Sequence, residues 1–214
     1  MSPPLTLYGE STWVSPWVFH AMTALEEKRL AYEFELVPLP IPADEKARLA
    51  ERALLGKVPV LVHGDLWFTE SLAISEYLAE TFRSPDHPRL FPADLAERAR
   101  ARQVMSYLRT DLMALREARP TTSVFGRPVT AMMSAKARDQ ADELVSLASR
   151  LLAGKPTLFA TWSIADADLA LALMRLVKNG DSVPAEVRAY AEAQWARPSL
   201  RVYLDRAAAA AVAT

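Results

Sequence analysis

Three prolines fall within the eight residues from Pro85 to Pro92, and Ser84-Pro85-Asp86-His87-Pro88-Arg89-Leu90-Phe91-Pro92 therefore cannot be helical. This stretch divides the chain into two parts with different patterning. Residues 1–83 alternate between strand-like and helix-like runs, whereas 93–214 are almost wholly helical in period. The expected organisation is a small α/β domain over 1–83, a linker at 84–92 and an all-helical domain over 93–214.

Within the first part, Leu5-Thr6-Leu7-Tyr8 reads as a short strand. Ser15 to about Arg29 reads as a helix with Val18, Phe19, Met22 and Leu25 at helical spacing. Glu33–Val37 is a second strand, and a proline-rich turn (Pro38, Pro40, Pro42) leads to a helix-like Ala43–Leu55. Val60-Leu61-Val62 and Leu66-Trp67-Phe68 flank His63-Gly64-Asp65, a hairpin signal. Ser71–Phe82 is a third helix with Leu72, Ile74, Tyr77 and Leu78 on its core side. The order is βαβ followed by αββα. The first pair should be parallel with a right-handed crossover, the last antiparallel.

In the second part, Ala93 to about Arg119 reads as one long amphipathic helix carrying Ala101, Met105, Leu108, Leu112 and Leu115. Shorter helices are expected over Ala135–Ala153, Ala165–Lys178, Ala185–Trp195 and Ser199–Ala210, with the alanine-rich tail Ala207–Ala211 fraying. Ala118–Ser134 is long for a helix connection and reads as a lid that could close over a second substrate.

The composition excludes several function classes. A net charge of −1 lacks the basic footprint of nucleic-acid binding, and no basic cluster flanks an apolar segment to attract a membrane. No apolar run is long enough to span a bilayer, and Met1-Ser2-Pro3-Pro4 does not read as a secretory leader, so a soluble cytoplasmic protein is expected. With no cysteine, the chain has no disulfide, thiolate metal site or CxxC redox centre. His20, His63 and His87 are far apart in sequence, and no catalytic metal is expected. Any sulfur chemistry must use a thiol brought by a ligand.

Three dipeptides carry the candidate chemistry. Proline is unusual leading into a strand, and Pro59 precedes Val60 directly. A cis Val58–Pro59 bond would turn the Val58 backbone outward to pair with an extended peptide, while an ordinary trans turn is the plainer alternative. Glu70-Ser71 opens a helix: Ser71 suits the N-cap, the first-turn N–H groups suit a carboxylate, and Glu70 suits an ammonium. A free amino-acid head would engage both residues, although the pair taken alone reads first as a routine cap beside a solvated acid. Ser15-Pro16 places serine at N-cap and proline at N1. The Ser15 hydroxyl could also donate to a sulfur anion. Such a bond is worth about 1.5–3 kcal/mol, enough to lower a bound thiol's pKa by roughly one to two units.

Leu7-Tyr8…Trp13-Val14-Ser15-Pro16-Trp17, Lys57-Val58-Pro59-Val60-Leu61 and Glu70-Ser71-Leu72-Ala73-Ile74 together resemble the cytosolic glutathione S-transferases of serine type. The resemblance runs from Leu5 to about Leu204 and is strongest toward bacterial YfcF-like members over Arg98–Pro120 and Ala160–Asp181. It implies a thioredoxin-like N-terminal domain followed by an all-helical C-terminal domain that supplies most of the electrophile site. Glutathione is then a co-substrate rather than a cofactor, and the protein pairs as a homodimer, with Leu54, Leu55, Trp67 and Phe68 as possible contacts. Residue by residue it implies that Ser15 activates the sulfur, Val58 pairs with the cysteinyl unit, and Glu70 and Ser71 hold the γ-glutamyl head. Lys46 and Lys57 are the candidates for the glycyl carboxylate, and Tyr8 is the rival to Ser15. Ser163-Ile164-Ala165-Asp166 matches the family's buried capping element, which makes Asp166 structural.

Some features stay open. Arg102, Arg109 and Arg116 recur every seven residues and read as a solvated face, yet Arg109, Asp111 or Arg116 could line the substrate cleft. Trp13 and Trp17 flank Ser15 as core packing or as an apolar acceptor wall. The expected activity is transfer of glutathione to small electrophiles, with peroxide or disulfide reduction second. The rivals are a non-catalytic scaffold of the same fold and a carrier of apolar ligands.

Overall fold

The computed structural model describes residues 3–212, so Met1 and Ser2, part of the leader reading, lie outside the described residues. The chain forms two compact units, one comprising the residues up to Leu90 with those from Asp205 onward, the other Phe91–Leu204. This departs from a second domain running unbroken to the C-terminus. Among the described residues, no helix is long and apolar enough to cross a membrane.

The first unit contains β1 (Leu5–Glu10), α1 (Pro16–Glu27), β2 (Glu33–Val37), α2 (Ala43–Ala53), β3 (Val60–His63), β4 (Leu66–Thr69) and α3 (Ser71–Thr81). The sheet order is β2-β1-β3-β4, with β1 parallel to β2 and antiparallel to β3, and β3 antiparallel to β4. This is a thioredoxin-like arrangement. Strand alternation sorts the side chains between two layers. Tyr8, Val62 and Trp67 pack with Leu49 and Ala53 of α2 around Val60. On the other face, Leu7, Leu61, Val18, Ile74 and Leu78 are wholly buried. Gly9 is required there, because a Cβ would lie 2.4 Å from Phe34 Cζ and 2.7 Å from Val18 Cγ1.

The second unit is helical: α4 (Leu95–Thr110), α5 (Met113–Ala118), α6 (Thr121–Phe125), α7 (Ala135–Leu152), α8 (Ile164–Val177) and α9 (Ala185–Trp195). The last helix, α10 (Pro198–Val212), gives its first turns to this unit and its turns from Asp205 to the other; it stays helical through Ala207–Ala211. Its centre is α8, in which every residue from Ile164 to Leu176 is buried. The Asp166 carboxylate accepts from the N–H groups of Leu158 (2.8 Å) and Ser163 (2.9 Å), from the Ser163 hydroxyl (3.3 Å) and from the Tyr190 hydroxyl (2.8 Å). Burial pushes this carboxyl's pKa up, against the pull of those four bonds.

Two expectations are corrected here. The single helix over Ala93–Arg119 is two helices, broken at Asp111-Leu112. Gln140 of α7 explains the break: its amide donates to the Asp111 carbonyl at 2.7 Å and accepts from the Leu115 N–H at 3.0 Å, replacing bonds the helix gives up. The apolar stripe survives it, for Ala101, Met105, Leu108, Leu112 and Leu115 are all buried. The connection at 118–134 is not a loose lid. It contains α6, whose Ser123, Val124 and Phe125 are buried. Asn179 accepts from the Val129 N–H at 2.6 Å and donates to the Ser123 hydroxyl at 2.9 Å. Arg119 holds Asp181 through two bonds, at 2.7 and 2.8 Å, and donates to the Ala131 carbonyl at 3.0 Å.

Candidate functional site

Sheet register brings the three dipeptides to one end of the first unit. Tyr8 lies opposite Val60 and Val60 opposite Thr69, so the exit of β1, the entry of β3 and the exit of β4 are neighbours. The chain leaves β1 toward α1 and leaves β4 directly into α3. Two helix N-termini, the positive ends of their dipoles, thereby start from the edge at which Lys57-Val58-Pro59 enters the sheet.

Ser15 is the N-cap of α1, with φ −79° and ψ 119°, and its hydroxyl accepts from the Val18 N–H at 3.3 Å. Pro16 follows at N1, where its missing N–H costs nothing. The Ser15 N–H donates to the Glu10 carboxylate at 2.9 Å. Glu10 was not found by sequence reasoning. It is fully buried at the end of β1 and also accepts from the N–H groups of Trp13 and Val14 and from the Thr12 hydroxyl. The only hint in the sequence was the short polar loop Ser11-Thr12, whose backbone groups needed partners.

The Val58–Pro59 bond is cis, as are Leu39–Pro40 and Ser84–Pro85. Val58 precedes the β3 ladder and its side chain joins the α2 cluster from the edge. At α3 the cap differs from expectation. Glu70 occupies the N-cap at φ 71°, and Ser71 is the first helical residue, buried, with its carbonyl accepting from the Ser75 hydroxyl at 2.9 Å. The left-handed Glu70 turns the chain sharply between β4 and α3, a conformation uncommon outside glycine.

Lys57 and Lys46 were candidates for one role, and the structure separates them. The Lys57 ammonium lies on the Glu70 carboxylate, with both side chains more than half exposed. Lys57 therefore stands at the Glu70 end rather than apart from it. Lys46, exposed on α2, packs its stem and carbonyl against Gly56, where a Cβ would lie 2.5 Å from each, just ahead of Lys57.

Tyr8 points to the opposite sheet face from α1. Its ring lies 5.4 Å from Trp67, with the Arg48 guanidinium 5.6 Å above each ring, and Arg48 is held by a two-bond pair with Glu45 at 2.7 and 2.6 Å. Trp13 is buried at φ 54°, stacked on Phe34 at 4.9 Å beneath Arg206, so it packs as core rather than as an open acceptor wall. Trp17 remains half-buried, 6.4 Å from the His20 ring.

Of the arginine series only Arg102 is exposed as a solvated face would have it; Arg109 and Arg116 are partly buried. Arg102 lies over the Phe91 ring at 5.5 Å. Arg109 is 13% exposed and pairs with Asp168 of α8, itself 1% exposed, through bonds of 2.7 and 3.1 Å. Arg116 donates to the Arg109 carbonyl, and burial, then Arg109, holds its pKa below the usual value. Asp111 is exposed at the helix break and accepts from its neighbour Thr110. Arg109 is thus committed to an internal ion pair.

A thioredoxin-like sheet with a helical unit after it, and a cis-proline turn beside two helix starts, define the glutathione-transferase class of fold. Family models agree. The N-terminal domain model of glutathione S-transferase matches residues 14–81, and the C-terminal domain model matches residues 94–209. A glutathione transferase homologue from Burkholderia gl BGR1, crystallised with bound glutathione, is 36% identical with a TM-score of 0.78, covering 95% of this chain and 98% of that one. The Tau class enzyme of mango has the same fold, with a TM-score of 0.73 at 21% identity over 98% of both chains. Among curated sequences, glutathione S-transferase U13 of Arabidopsis thaliana is 35% identical over 97 residues, 45% of this chain and 42% of that protein. A probable maleylacetoacetate isomerase of Caenorhabditis elegans is 40% identical over 94 residues, 44% of this chain and 42% of that protein. The chain spans less than half the length of these curated relatives. It belongs to the glutathione S-transferase family.

Proposed function

We propose that this protein is a glutathione transferase of serine type, in which the Ser15 hydroxyl stabilises the glutathione thiolate for attack on a small electrophile. The observation that carries this reading is the convergence, through sheet register, of Ser15, Val58 and Glu70-Ser71 at one edge. Val58 supplies backbone groups for the cysteinyl unit. The first turn of α3 receives the γ-glutamyl carboxylate, and Glu70 receives the α-ammonium. The Lys57 ammonium on Glu70 is a stand-in for that group, and the pair is exposed enough to exchange for a ligand at little cost. Lys46 takes the glycyl carboxylate, and Trp17 belongs to the acceptor wall. Holding thiolate and electrophile together makes the attack effectively unimolecular.

The chain has no cysteine, so the reactive sulfur must be the ligand's, and a mixed disulfide on the protein is excluded. Peroxide or disulfide reduction by the bound thiolate is the second activity to assay. Exposed Leu54 (87%) and Leu55 (42%) support a homodimer, and a monomeric mass by light scattering at micromolar concentration would contradict it. A cytoplasmic location accords with this reading.

Ser15→Ala tests the proposal. Loss of the cap alone costs about 1 kcal/mol and leaves turnover nearly unchanged. Loss of thiolate stabilisation raises the bound thiol's pKa by about one unit and slows turnover roughly tenfold at neutral pH. Absence of both glutathione retention and turnover toward any electrophile or peroxide would favour a scaffold. Tight dye binding without turnover would favour a ligand carrier.

A further inference from the structure

Four donors converge on the Glu10 carboxylate, which has no solvent exposure. One oxygen accepts from the N–H groups of Val14 (3.1 Å) and Ser15 (2.9 Å), the other from the Trp13 N–H and the Thr12 hydroxyl (2.9 Å). Three consecutive backbone N–H groups aimed at one point, with Trp13 in the left-handed region at φ 54°, form a concave anion nest. Such a nest beside a helix start is well suited to a ligand's anion. In this chain its own carboxylate fills it, and these N–H groups are committed before any ligand arrives. The charged group facing the loop from α10 is Arg206, 5.3 Å from the Trp13 ring and 5.5 Å from Phe34.

Ser15 is consequently held from two sides. Its N–H is fixed to Glu10, and its hydroxyl oxygen accepts from the Val18 N–H at 3.3 Å. We infer that Glu10 is a positioning residue for the thiol chemistry: it occupies the nest so that the sulfur is served by the Ser15 hydroxyl rather than by loop N–H groups, and it fixes that hydroxyl relative to Val58. Closing the loop alone would make Glu10 a stability element with no influence on the thiol. The inference rests on the proposed role of Ser15, and the test keeps the two apart.

The unsubstituted protein is first titrated with glutathione by calorimetry, and the bound thiol is titrated by its ultraviolet thiolate absorbance. Absence of binding would remove the transferase reading itself. With binding established, Glu10→Gln keeps the side-chain length, removes the charge and turns an amide NH2 against a backbone donor. The variant should bind glutathione with affinity changed by no more than about threefold, while the thiol's pKa rises by about one unit and neutral-pH turnover falls about tenfold, recovering at alkaline pH. An unchanged thiol titration in folded Glu10→Gln overturns the inference. So does a shift to lower pH, the result of merely deleting a nearby negative charge. If Glu10→Gln does not fold, Thr12→Val removes one donor only; a smaller rise supports the positioning role and an unchanged titration overturns it.

Discussion

Replacing Asp166 by alanine tests what holds the helical unit together. The carboxylate is fully buried and accepts from the Leu158 and Ser163 N–H groups and from the Tyr190 hydroxyl, three groups that water does not reach easily. Each buried donor left without an acceptor costs about 1–3 kcal/mol, so the three together predict a loss of roughly 3–9 kcal/mol. That is a large share of the roughly 5–15 kcal/mol by which a typical domain is stable. Asp166→Asn keeps one acceptor oxygen and the shape, and its loss should be nearer 1–3 kcal/mol. Urea unfolding followed by helical circular dichroism measures both. A loss below about 1 kcal/mol for alanine would mean that the cap bonds contribute little beyond what water supplies, and the reasoning would fail. Asp166 is assigned a structural role, so any fully folded Asp166→Asn at low temperature should turn over glutathione at an undiminished rate.

Asp168→Ala removes the buried carboxylate that pairs with the Arg109 guanidinium and should cost about 3–5 kcal/mol by urea unfolding, far more than loss of an exposed pair would. Arg119→Ala removes the Asp181 pair and the Ala131 tether together. Amide exchange over 126–134 should accelerate selectively, and uniform protection there would show that α6 is anchored by its apolar residues alone. Lys28 is 1% exposed, with its ammonium on the Phe82 carbonyl, and burial, then Arg89, lowers its pKa from 10.5. The folded state therefore releases this proton before the unfolded state does. Stability relative to Lys28→Met should rise with pH from the lowered value toward 10.5, as a unfolding series across that range would detect.

What the sequence revealed and what it hid follow from the range of the interactions involved. The elements around Ser15-Pro16, Glu33–Val37 and Ala185–Trp195 were legible because caps, alternation and helical period act within a few residues. The edge on which the candidate site stands was legible for the same reason: strand lengths and the Gly64 turn fix register, and register alone carries Val58 beside Glu70. The helix break at Asp111 was not, since its cause is a glutamine 29 residues away. Nor was the fate of Arg109, whose partner Asp168 is 59 residues distant and looks in sequence like any acid on a helix. Glu10 was hidden differently. Its partners are only two to five residues off, but three of the four are backbone N–H groups, which every residue carries and no pattern of side chains advertises. A carboxylate that pairs with another side chain leaves a second mark in the sequence. One that pairs mainly with main chain leaves no more than a hint, here the short polar Ser11-Thr12 loop, and for that reason the residue bonded to the Ser15 N–H was hidden from any pattern of side chains.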